Sequence, residues 1–358
     1  MKDNVAQIGI VGCGNISGHY MENMPGFPNL KVVACADIDA VKAAELGDKF
    51  DLRVLPVDEL VAHDDIDAVL NLTIPSAHAE IAIQALQNGK HVYNEKPLGT
   101  TREQGRAILQ CAAENGVRVG CAPDTFLGAG QQTCRMLVDD GTVGKPFTAT
   151  ASMMSPGPVW HQNPDFFFRP GGGPLFDMGP YYLTTLVNML GPAQRVVGFT
   201  TRGFDERVRS TGPNAGAKIP VELDTTIMGV IEFVSGPIVT FQGSFDLVGA
   251  HNLPRIELHG TEGSLSIPDP NNFDGSVRFH AAGGDGWKDM DLVNGQTTAG
   301  RGLGLSDMIR AIGEDRPHRA SGELAFHVLD IMEAFYDASE EGRAIELEST
   351  CVRPTVMG

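Results

Sequence analysis

Residues 8–18 read IGIVGCGNISG, and this stretch decides the first half of the fold. Its apolar start predicts a β-strand, and the GxGxxG pattern stands where a helix should begin. In this pattern Gly12 allows a tight turn, Gly14 lets backbone approach a pyrophosphate, and Gly18 permits close packing of helix on strand. The same letters also occur in ordinary glycine turns, but the strand before them and the helix after them favour a dinucleotide site, with the phosphates at the helix N-terminus.

The second predicted strand, residues 32–36, ends at Asp37, about twenty residues beyond the glycine pattern. A carboxylate there can accept hydrogen bonds from the adenosine ribose and repels the 2′-phosphate of NADP. Residues 38–40 contain no lysine or arginine that could bind such a phosphate. NAD is therefore favoured over NADP. The alternative, an aspartate that caps the next helix, fits Asp39 better than Asp37.

Short apolar runs alternate with amphipathic segments of helix length as far as residue 122. This alternation is typical of βαβ units around a parallel sheet. We therefore expect an α/β protein in which residues 1–122 form an NAD-binding Rossmann domain with a doubly wound parallel sheet. Residues 123–358 are expected to form a second α/β domain for substrate binding and oligomerisation.

The pattern changes after Pro123. Residues 227–233 and 238–245 alternate in polarity and predict antiparallel strands. Two helices are predicted near the end of the chain, at 305–312 and 324–341. The segments 203–220 and 268–286 are rich in Gly, Pro, Asn and Asp and are predicted to be loops.

The charge of the chain excludes several partners. It carries 45 acidic and 27 basic residues, a formal charge of −18. Such a field repels phosphate backbones and anionic membrane surfaces, so we expect neither nucleic acid nor a membrane as partner. No run of about 18 apolar residues predicts a transmembrane helix.

Cysteine, histidine and the N-terminus give three further expectations. The six cysteines form no CxxC pair and are expected to be reduced, mostly buried thiols. The ten histidines form no HExxH motif or ligand-spaced cluster, so no metal site is expected. Residues 1–4 lead straight into a strand-like segment without the apolar stretch of a signal peptide. This start favours the cytoplasm.

Polar residues follow the fourth and fifth predicted strands, at the carboxyl ends where open α/β sheets bind ligands. The segments are TIPSAH at 73–78 and NEKP at 94–97. On spacing alone Lys96 could be a surface lysine, but at this place it faces the cofactor crevice. The residues expected to contact the dinucleotide are Gly12, Gly14, Asn15, Ile16, Asp37, Ile38, Thr73, Pro75, His78, Glu95 and Lys96.

A glycine-rich segment, GGGPLFDMG at 171–179, precedes another predicted helix. Asp177 and Tyr181 are spaced i, i+4 near its start, with Pro180 tolerated in the first turn, so both side chains can point into one cleft. Asp177 could instead be a helix N-cap, and Tyr181 a core aromatic whose hydroxyl finds a partner. The three glycines, which can bring backbone close to a ligand, favour a functional role.

Four further residues are candidate substrate contacts. Trp160, His161 and Arg169 flank an aromatic run and could line a sugar-sized pocket, although such a run is more often core. Asp124 follows the last strand of the first domain and could accept a hydrogen bond from a substrate hydroxyl.

Together these motifs resemble the Gfo/Idh/MocA family of oxidoreductases. The resemblance rests on GxGxxG, TIPxxH, GKHVYNEKP at 89–97 and GGGPLFDMG, and it implies a Rossmann domain followed by an α/β domain with a large, mostly antiparallel sheet. It also implies that Lys96 is the catalytic lysine and Asp177 its acidic partner. Where family members commonly have histidine, this chain has Tyr181, as in the branch containing glucose-fructose oxidoreductase and the dimeric dihydrodiol dehydrogenases.

The expected chemistry is NAD-dependent oxidation of a secondary hydroxyl, or reduction of the matching ketone. Hydride would go to nicotinamide C4, and the hydroxyl proton would leave through a relay of Lys96 and Tyr181. The family implies a sugar, inositol or related polyol as substrate. Two alternatives stay open: redox-neutral glycoside cleavage through transient oxidation and elimination, and a non-catalytic dinucleotide sensor. A homodimer or homotetramer is expected, because the apolar antiparallel strands need covering on both faces.

Overall fold

The computed structural model describes residues 5–161, 163–292 and 300–357. Residues 1–4, on which the expectation about a signal peptide rests, lie outside this description. The chain divides into two compact units. The first comprises residues 1–127 and 298–329, and the second residues 128–297 and 330–358.

The first unit begins with six strands separated by helices. The strands form one parallel sheet in the order β3-β2-β1-β4-β5-β6. This order reverses direction at β1 and confirms the predicted doubly wound Rossmann fold. The elements are β1 (Ala6–Val11), α1 (Asn15–Asn23), β2 (Leu30–Ala36), α2 (Ala40–Phe50), β3 (Arg53–Val54), α3 (Val57–Ala62), β4 (Ala68–Asn71), α4 (His78–Gln87), β5 (His91–Asn94), α5 (Arg102–Asn115) and β6 (Val119–Cys121).

The core of this sheet is buried on both faces, which explains the unbroken apolar runs. Ile8 and Ile10 of β1 and Leu70 of β4 are fully buried. Each such side chain contributes about 1.5–3 kcal/mol when removed from water. The helices cover the sheet through small and apolar residues, among them Ala82 and Leu86 of α4, which are also fully buried.

The second unit is built on a nine-stranded sheet, and it confirms the expected large, mostly antiparallel sheet. Its order is β16-β15-β14-β13-β7-β12-β11-β8-β17, and within it β7 and β12 form a parallel pair. From residue 129 to the end of the chain, the elements in chain order are α6 (Ala129–Asp139), β7 (Pro146–Met154), α7 (Gly173–Asp177), α8 (Gly179–Leu190), β8 (Ala193–Thr201), β9 (Glu206–Val208), β10 (Lys218–Pro220), β11 (Thr226–Phe233), β12 (Ile238–Ser244), β13 (Ile256–Gly260), β14 (Gly263–Ile267), β15 (Val277–Ala281), β16 (Lys288–Met290), α9 (Leu303–Gly313), α10 (Gly322–Glu341) and β17 (Ile345–Glu346).

Of these last elements, α9 and the beginning of α10 belong to the first unit. The return of the chain is fixed by backbone pairing, since Cys121 N donates to Ala320 O at 3.0 Å. The predicted second domain, residues 123–358, includes this segment, because a local pattern carries no information about such a distant pairing. The predicted helices at 305–312 and 324–341 are confirmed as α9 and α10.

Two segments predicted as loops contain strands. Residues 203–220 include β9 and β10, which pair as a two-stranded hairpin, and residues 268–286 include β15 of the large sheet. The hairpin strands, ERV and KIP, are three residues long, so they are too short for alternation to predict a half-buried strand. Short 3₁₀ helices lie at Met24–Gly26, Pro75–Ala77, Thr125–Leu127 and Asp165–Phe168.

Candidate active site

The glycine turn leaves the N-terminus of α1 open to an anion. Gly12 has φ +101°, and a Cβ there would lie 2.6 Å from the Leu72 carbonyl, so only glycine fits. Gly14 is the N-cap of α1, and no described side chain caps that end of the helix. A Cβ on Gly14 would meet no described atom within 4 Å. The first N–H groups of α1 and the open space beside Gly14 therefore suit a phosphate-bearing cofactor.

Gly18 does not have the helix-packing role that the glycine pattern predicts. A Cβ at this position would meet no described atom within 4 Å, so glycine is not needed there for packing of helix on strand. The close approach falls instead on Gly12, against the end of β4, and on Gly9, where a Cβ would lie 2.8 Å from Ile66 Cδ1. The motif gave the right turn but assigned the packing role to the wrong glycine.

Asp37 braces the glycine turn from the end of β2. Its Oδ2 accepts from Cys13 N at 2.7 Å, and its Oδ1 accepts from Asp39 N at 2.8 Å. A carboxylate offers about four acceptor positions, so both oxygens can still accept a ribose hydroxyl. Asp39 caps α2 by accepting from Val41 N at 3.1 Å, which confirms it as the capping aspartate. Ile38, between the two acids, is 99% exposed.

His78 joins the loops that follow β4 and β5. It is fully buried, with Nδ1 2.6 Å from Pro97 O and Nε2 2.9 Å from Thr73 O. Burial lowers the pKa of His78, while the two carbonyls oppose this shift. His78 thus links the two loops through its ring nitrogens. Its full burial does not support the predicted contact with the cofactor. Pro75, between these residues, opens a 3₁₀ turn.

Two asparagines that were not among the predicted contact residues complete the link between these loops. Asn71 Nδ2 donates to Asn94 Oδ1 at 3.0 Å and to His78 O at 3.1 Å, while Asn94 Nδ2 donates to Leu98 O at 3.2 Å. Asn71 Oδ1 accepts from Thr73 Oγ1 at 2.7 Å. Both asparagines are fully buried at strand ends. The signal available in the sequence was an amide side chain at the carboxyl end of a predicted strand.

Glu95 is held by groups from three parts of the first unit. Its Oε1 accepts from Tyr20 Oη at 3.0 Å and lies 3.5 Å from Arg301 Nη1. Its Oε2 accepts from Lys96 N at 2.9 Å. Glu95 is buried, whereas Lys96 is only partly buried. The carboxylate thus supports the backbone at the candidate catalytic lysine.

Asp124 does not occupy the position expected of a substrate contact. It is fully buried, and its Oδ2 accepts from Gly302 N at 3.0 Å and Gly304 N at 2.9 Å. Burial raises the pKa of Asp124, and the two backbone donors oppose that shift. The geometry makes Asp124 the anchor of the loop before α9 and does not support direct contact with substrate.

In the second unit, Asp177 and Tyr181 lie on consecutive helices. Asp177 is the last residue of α7, so the alternative that it caps a helix N-terminus is wrong. Met178 is the N-cap of α8, Pro180 lies in its first turn, and Tyr181 N donates to Met178 O at 3.1 Å. Tyr181 is buried, whereas Asp177 is partly buried.

Two of the three glycines at the start of α7 are needed for packing inside the protein. A Cβ on Gly172 would overlap the Phe166 carbonyl, and one on Gly173, which has φ +77°, would overlap Leu223 Cδ1. At these two positions glycine is therefore required by a close approach of protein to protein, and the expectation that the glycine run brings backbone close to a ligand stays a prediction.

The aromatic run divides between surface and core. Trp160 is 63% exposed, and its indole lies edge-on to His161 with ring centroids 6.0 Å apart. His161 also contacts Phe167, which is buried, with centroids 5.2 Å apart. Arg169 is exposed and lies 3.7 Å from Glu222. Trp160, His161 and Arg169 remain accessible enough to meet a solute.

Comparison with known families now decides the class. Residues 6–122 match the family described as "Oxidoreductase family, NAD-binding Rossmann fold", and residues 131–266 match the C-terminal domain of the same family. The chain belongs to the Gfo/Idh/MocA family. It is therefore an oxidoreductase whose first unit contains an NAD-binding Rossmann fold.

Relatives of this Gfo/Idh/MocA protein bear the names of sugar and inositol enzymes. The chain is 28% identical to 1,5-anhydro-D-fructose reductase of Ensifer adhaerens over 95% of this chain and 98% of the relative. It is 23% identical to myo-inositol 2-dehydrogenase of Thermotoga maritima over 72% and 74%. The solved structure of levoglucosan dehydrogenase in complex with NADH shares the fold, with a TM-score of 0.81 at 20% identity, covering 96% and 99% of the two chains.

Two further properties of the Gfo/Idh/MocA chain concern metals and membranes. Within residues 5–161, 163–292 and 300–357, no group of three His, Cys, Asp or Glu side chains could hold a metal ion. No helix in the described part of the chain is long and apolar enough to cross a membrane.

Proposed function

We propose that the protein is an NAD-dependent dehydrogenase or reductase that oxidises a secondary hydroxyl of a sugar, inositol or related polyol, or reduces the matching ketone. The observation that carries the proposal is the uncapped N-terminus of α1 behind the Gly14 turn, beside the Asp37 carboxylate. The names of the relatives supply the substrate class.

The residues of the first unit fit the parts of NAD. The free N–H groups after Gly14, at Asn15 and Ile16, would bind the pyrophosphate, and Asp37 would accept the ribose hydroxyls. Ile38 offers an exposed apolar surface at the same place. Thr73 and Pro75 lie in the loop after β4, and Glu95 and Lys96 follow β5, at the same carboxyl edge of the sheet.

The proton that leaves the substrate hydroxyl is assigned to side chains of this protein. When bound, NAD supplies the hydride acceptor at nicotinamide C4. Oxidation also removes the proton of the substrate hydroxyl, and we assign this proton to Lys96 and Tyr181, with Asp177 orienting the relay and a neighbouring substrate hydroxyl. Trp160, His161 and Arg169 are proposed to bind the sugar. The roles of Lys96, Asp177 and Tyr181 and the tyrosine-containing branch rest on the family resemblance. The sugar contacts, the cytoplasmic location and the homo-oligomer stay predictions.

The test is a screen of sugars, polyols and glycosides in which NADH absorbance and product are both measured. Accumulation of NADH with an oxidised sugar supports the proposal. Cleaved glycoside without net NADH would instead support redox-neutral cleavage, and NAD binding without any turnover would support a sensor.

Once a substrate is found, Tyr181→Phe tests the relay. The change keeps the ring and removes the hydroxyl, so kcat should fall by about 10²–10⁴ while NAD affinity is retained. Lys96→Met should cost at least as much, and the double variant should lose less than the product of the two losses, because the residues act as one unit. If Tyr181→Phe keeps most of wild-type kcat while Lys96→Met is inactive, Lys96 alone carries the proton.

A further inference from the structure

A buried charged cluster lies behind Lys96 within the first unit. At its centre the Glu95 carboxylate receives the Tyr20 hydroxyl at 3.0 Å and the Lys96 N–H at 2.9 Å, and it lies 3.5 Å from the Arg301 guanidinium. Tyr20 is fully buried, and 18% of the Arg301 side chain is exposed. In such surroundings water screens the charges weakly, so the position of Arg301 bears directly on Glu95.

Asp124 binds the backbone beside Arg301. The Asp124 carboxylate accepts the N–H groups of Gly302, which directly follows Arg301, and of Gly304 at the next position but one. Gly302 has φ +108°, and a Cβ on Gly304 would overlap the Tyr93 hydroxyl. The loop therefore has one tightly defined path, and its backbone presents Arg301 to Glu95.

The surroundings of this loop contain more buried polar groups than packing alone requires. Asp124 and Tyr93 are fully buried, and none of the described residues supplies a hydrogen-bond partner for Asp124 Oδ1 or the Tyr93 hydroxyl. Unpaired buried polar atoms cost stability, and a core built only for packing would replace them with apolar groups. Their retention next to the loop indicates that its polar construction serves the neighbouring site.

We propose that Arg301 is a positioning residue: anchored by Asp124, it holds the Glu95 carboxylate against the Lys96 backbone and thereby fixes the reacting lysine. This inference rests on the proposed function, in which Lys96 takes part in proton transfer. Removal of Arg301 leaves a buried carboxylate without its cation, and such a group moves toward water or toward another cation. Either movement releases the hydrogen bond that Glu95 makes to Lys96 N.

The first experiment needs no substrate. Trace acetylation of the folded protein is followed by mass spectrometry, and the labelling rate of Lys96 is compared with that of Lys49, an exposed lysine on α2. Arg301→Met should change the Lys96 to Lys49 ratio by about threefold or more, because a small shift in position changes reactivity strongly. Arg301→Lys, which restores a cation, should return the ratio toward wild type. An unchanged ratio in Arg301→Met overturns the inference, whatever the enzyme's substrate proves to be.

The second experiment uses the substrate found in the screen. Arg301→Met should lower kcat by about 10–100-fold, because a displacement near 1 Å can cost that much, while KM and the NAD dissociation constant from calorimetry stay within about threefold. Arg301→Lys should recover part of kcat. The matched control is Arg319→Met, since Arg319 is similarly buried and pairs with Asp307 in the same unit.

The outcomes separate the two proposals. If the wild type oxidises no sugar or polyol, the proposed function fails, and the labelling ratio still decides whether Arg301 positions Lys96. If the wild type is active and Arg319→Met loses as much kcat as Arg301→Met, the effect is general loosening of the unit and the inference is overturned. Equal kcat in Arg301→Met and wild type overturns it as well.

Discussion

The three glycines of the GxGxxG pattern should respond differently to alanine, although the pattern treats them alike. At Gly12 the left-handed φ of +101° costs about 1–2 kcal/mol for a residue with a Cβ. The overlap of that Cβ with the Leu72 carbonyl, at 2.6 Å, adds about 1–3 kcal/mol of overpacking. Gly12→Ala should therefore lose about 2–5 kcal/mol of unfolding free energy.

Gly14→Ala should instead spare the fold and weaken the cofactor. The residue has φ −76°, which any residue adopts, and its Cβ would meet no described atom. As an N-cap change it should cost less than about 1 kcal/mol of stability. The methyl group would occupy the space proposed for the pyrophosphate, and loss of one charge-assisted hydrogen bond, about 1.5–3 kcal/mol, corresponds to about 10–100-fold in NAD affinity.

Gly18→Ala is the matched control. The position lies inside α1 with room for a methyl group, so alanine should stabilise the helix by about 0.5–1 kcal/mol and leave NAD affinity unchanged. Urea unfolding gives the stabilities, and calorimetric titration with NAD gives the affinities. The reasoning is refuted if Gly12→Ala is as stable as wild type, or if Gly14→Ala binds NAD with wild-type affinity.

Three further predictions concern cofactor choice, assembly and pH. Asp37→Ser with Ile38→Arg should narrow or reverse the preference in kcat/KM for NAD over NADP, because it replaces a repelling carboxylate with a cation; a wild type that already prefers NADP contradicts the assignment. Phe199, 72% exposed, pairs with exposed Met228 on the outer face of the large sheet. We expect that face to be covered in a homo-oligomer, so Phe199→Glu should reduce the mass measured by light scattering, whereas a monomeric wild type at micromolar concentration excludes it. Burial lowers the pKa of His318 below its usual 6.5. As pH falls through that value, His318 therefore binds a proton more readily in the unfolded state than in the folded state. Stability should therefore drop on acidification, by up to about 1.4 kcal/mol per pH unit for this group, and urea unfolding of His318→Gln should show a smaller drop than wild type.

The elements predicted correctly are those whose signal is local. The strand, turn and helix at residues 8–18 follow from an apolar run and a glycine pattern within eleven residues of chain, and β11 and α10 follow from their own periodicity. The return of residues 298–329 to the first unit depends on pairing between Cys121 and Ala320. No periodicity reports a partner two hundred residues away, which is why the boundary after residue 122 missed it.

In the candidate site, too, only the features with a local signal could be predicted. A sequence shows which residues can do chemistry, but not which of them face solvent. His78 and Asp124 have suitable side chains at the carboxyl ends of strands, yet both are fully buried and bind backbone groups. Arg301 had no local motif, and only the fold brings it to Glu95. Burial and distant pairing are properties of the folded chain, so they could not be read from spacing.

Asp37 shows why one residue can satisfy a motif for two physical reasons. Its carboxylate is proposed to accept the ribose hydroxyls, and it also accepts hydrogen bonds from Cys13 N and Asp39 N. A substitution that tests cofactor choice therefore also loosens the turn that presents Gly14. Asp37→Asn separates the two effects, because its amide oxygen keeps one acceptor for the turn while the charge that repels a 2′-phosphate is lost. If charge governs the choice, Asp37→Asn should gain activity with NADP; if bracing of the turn governs it, the variant should lose affinity for both cofactors equally.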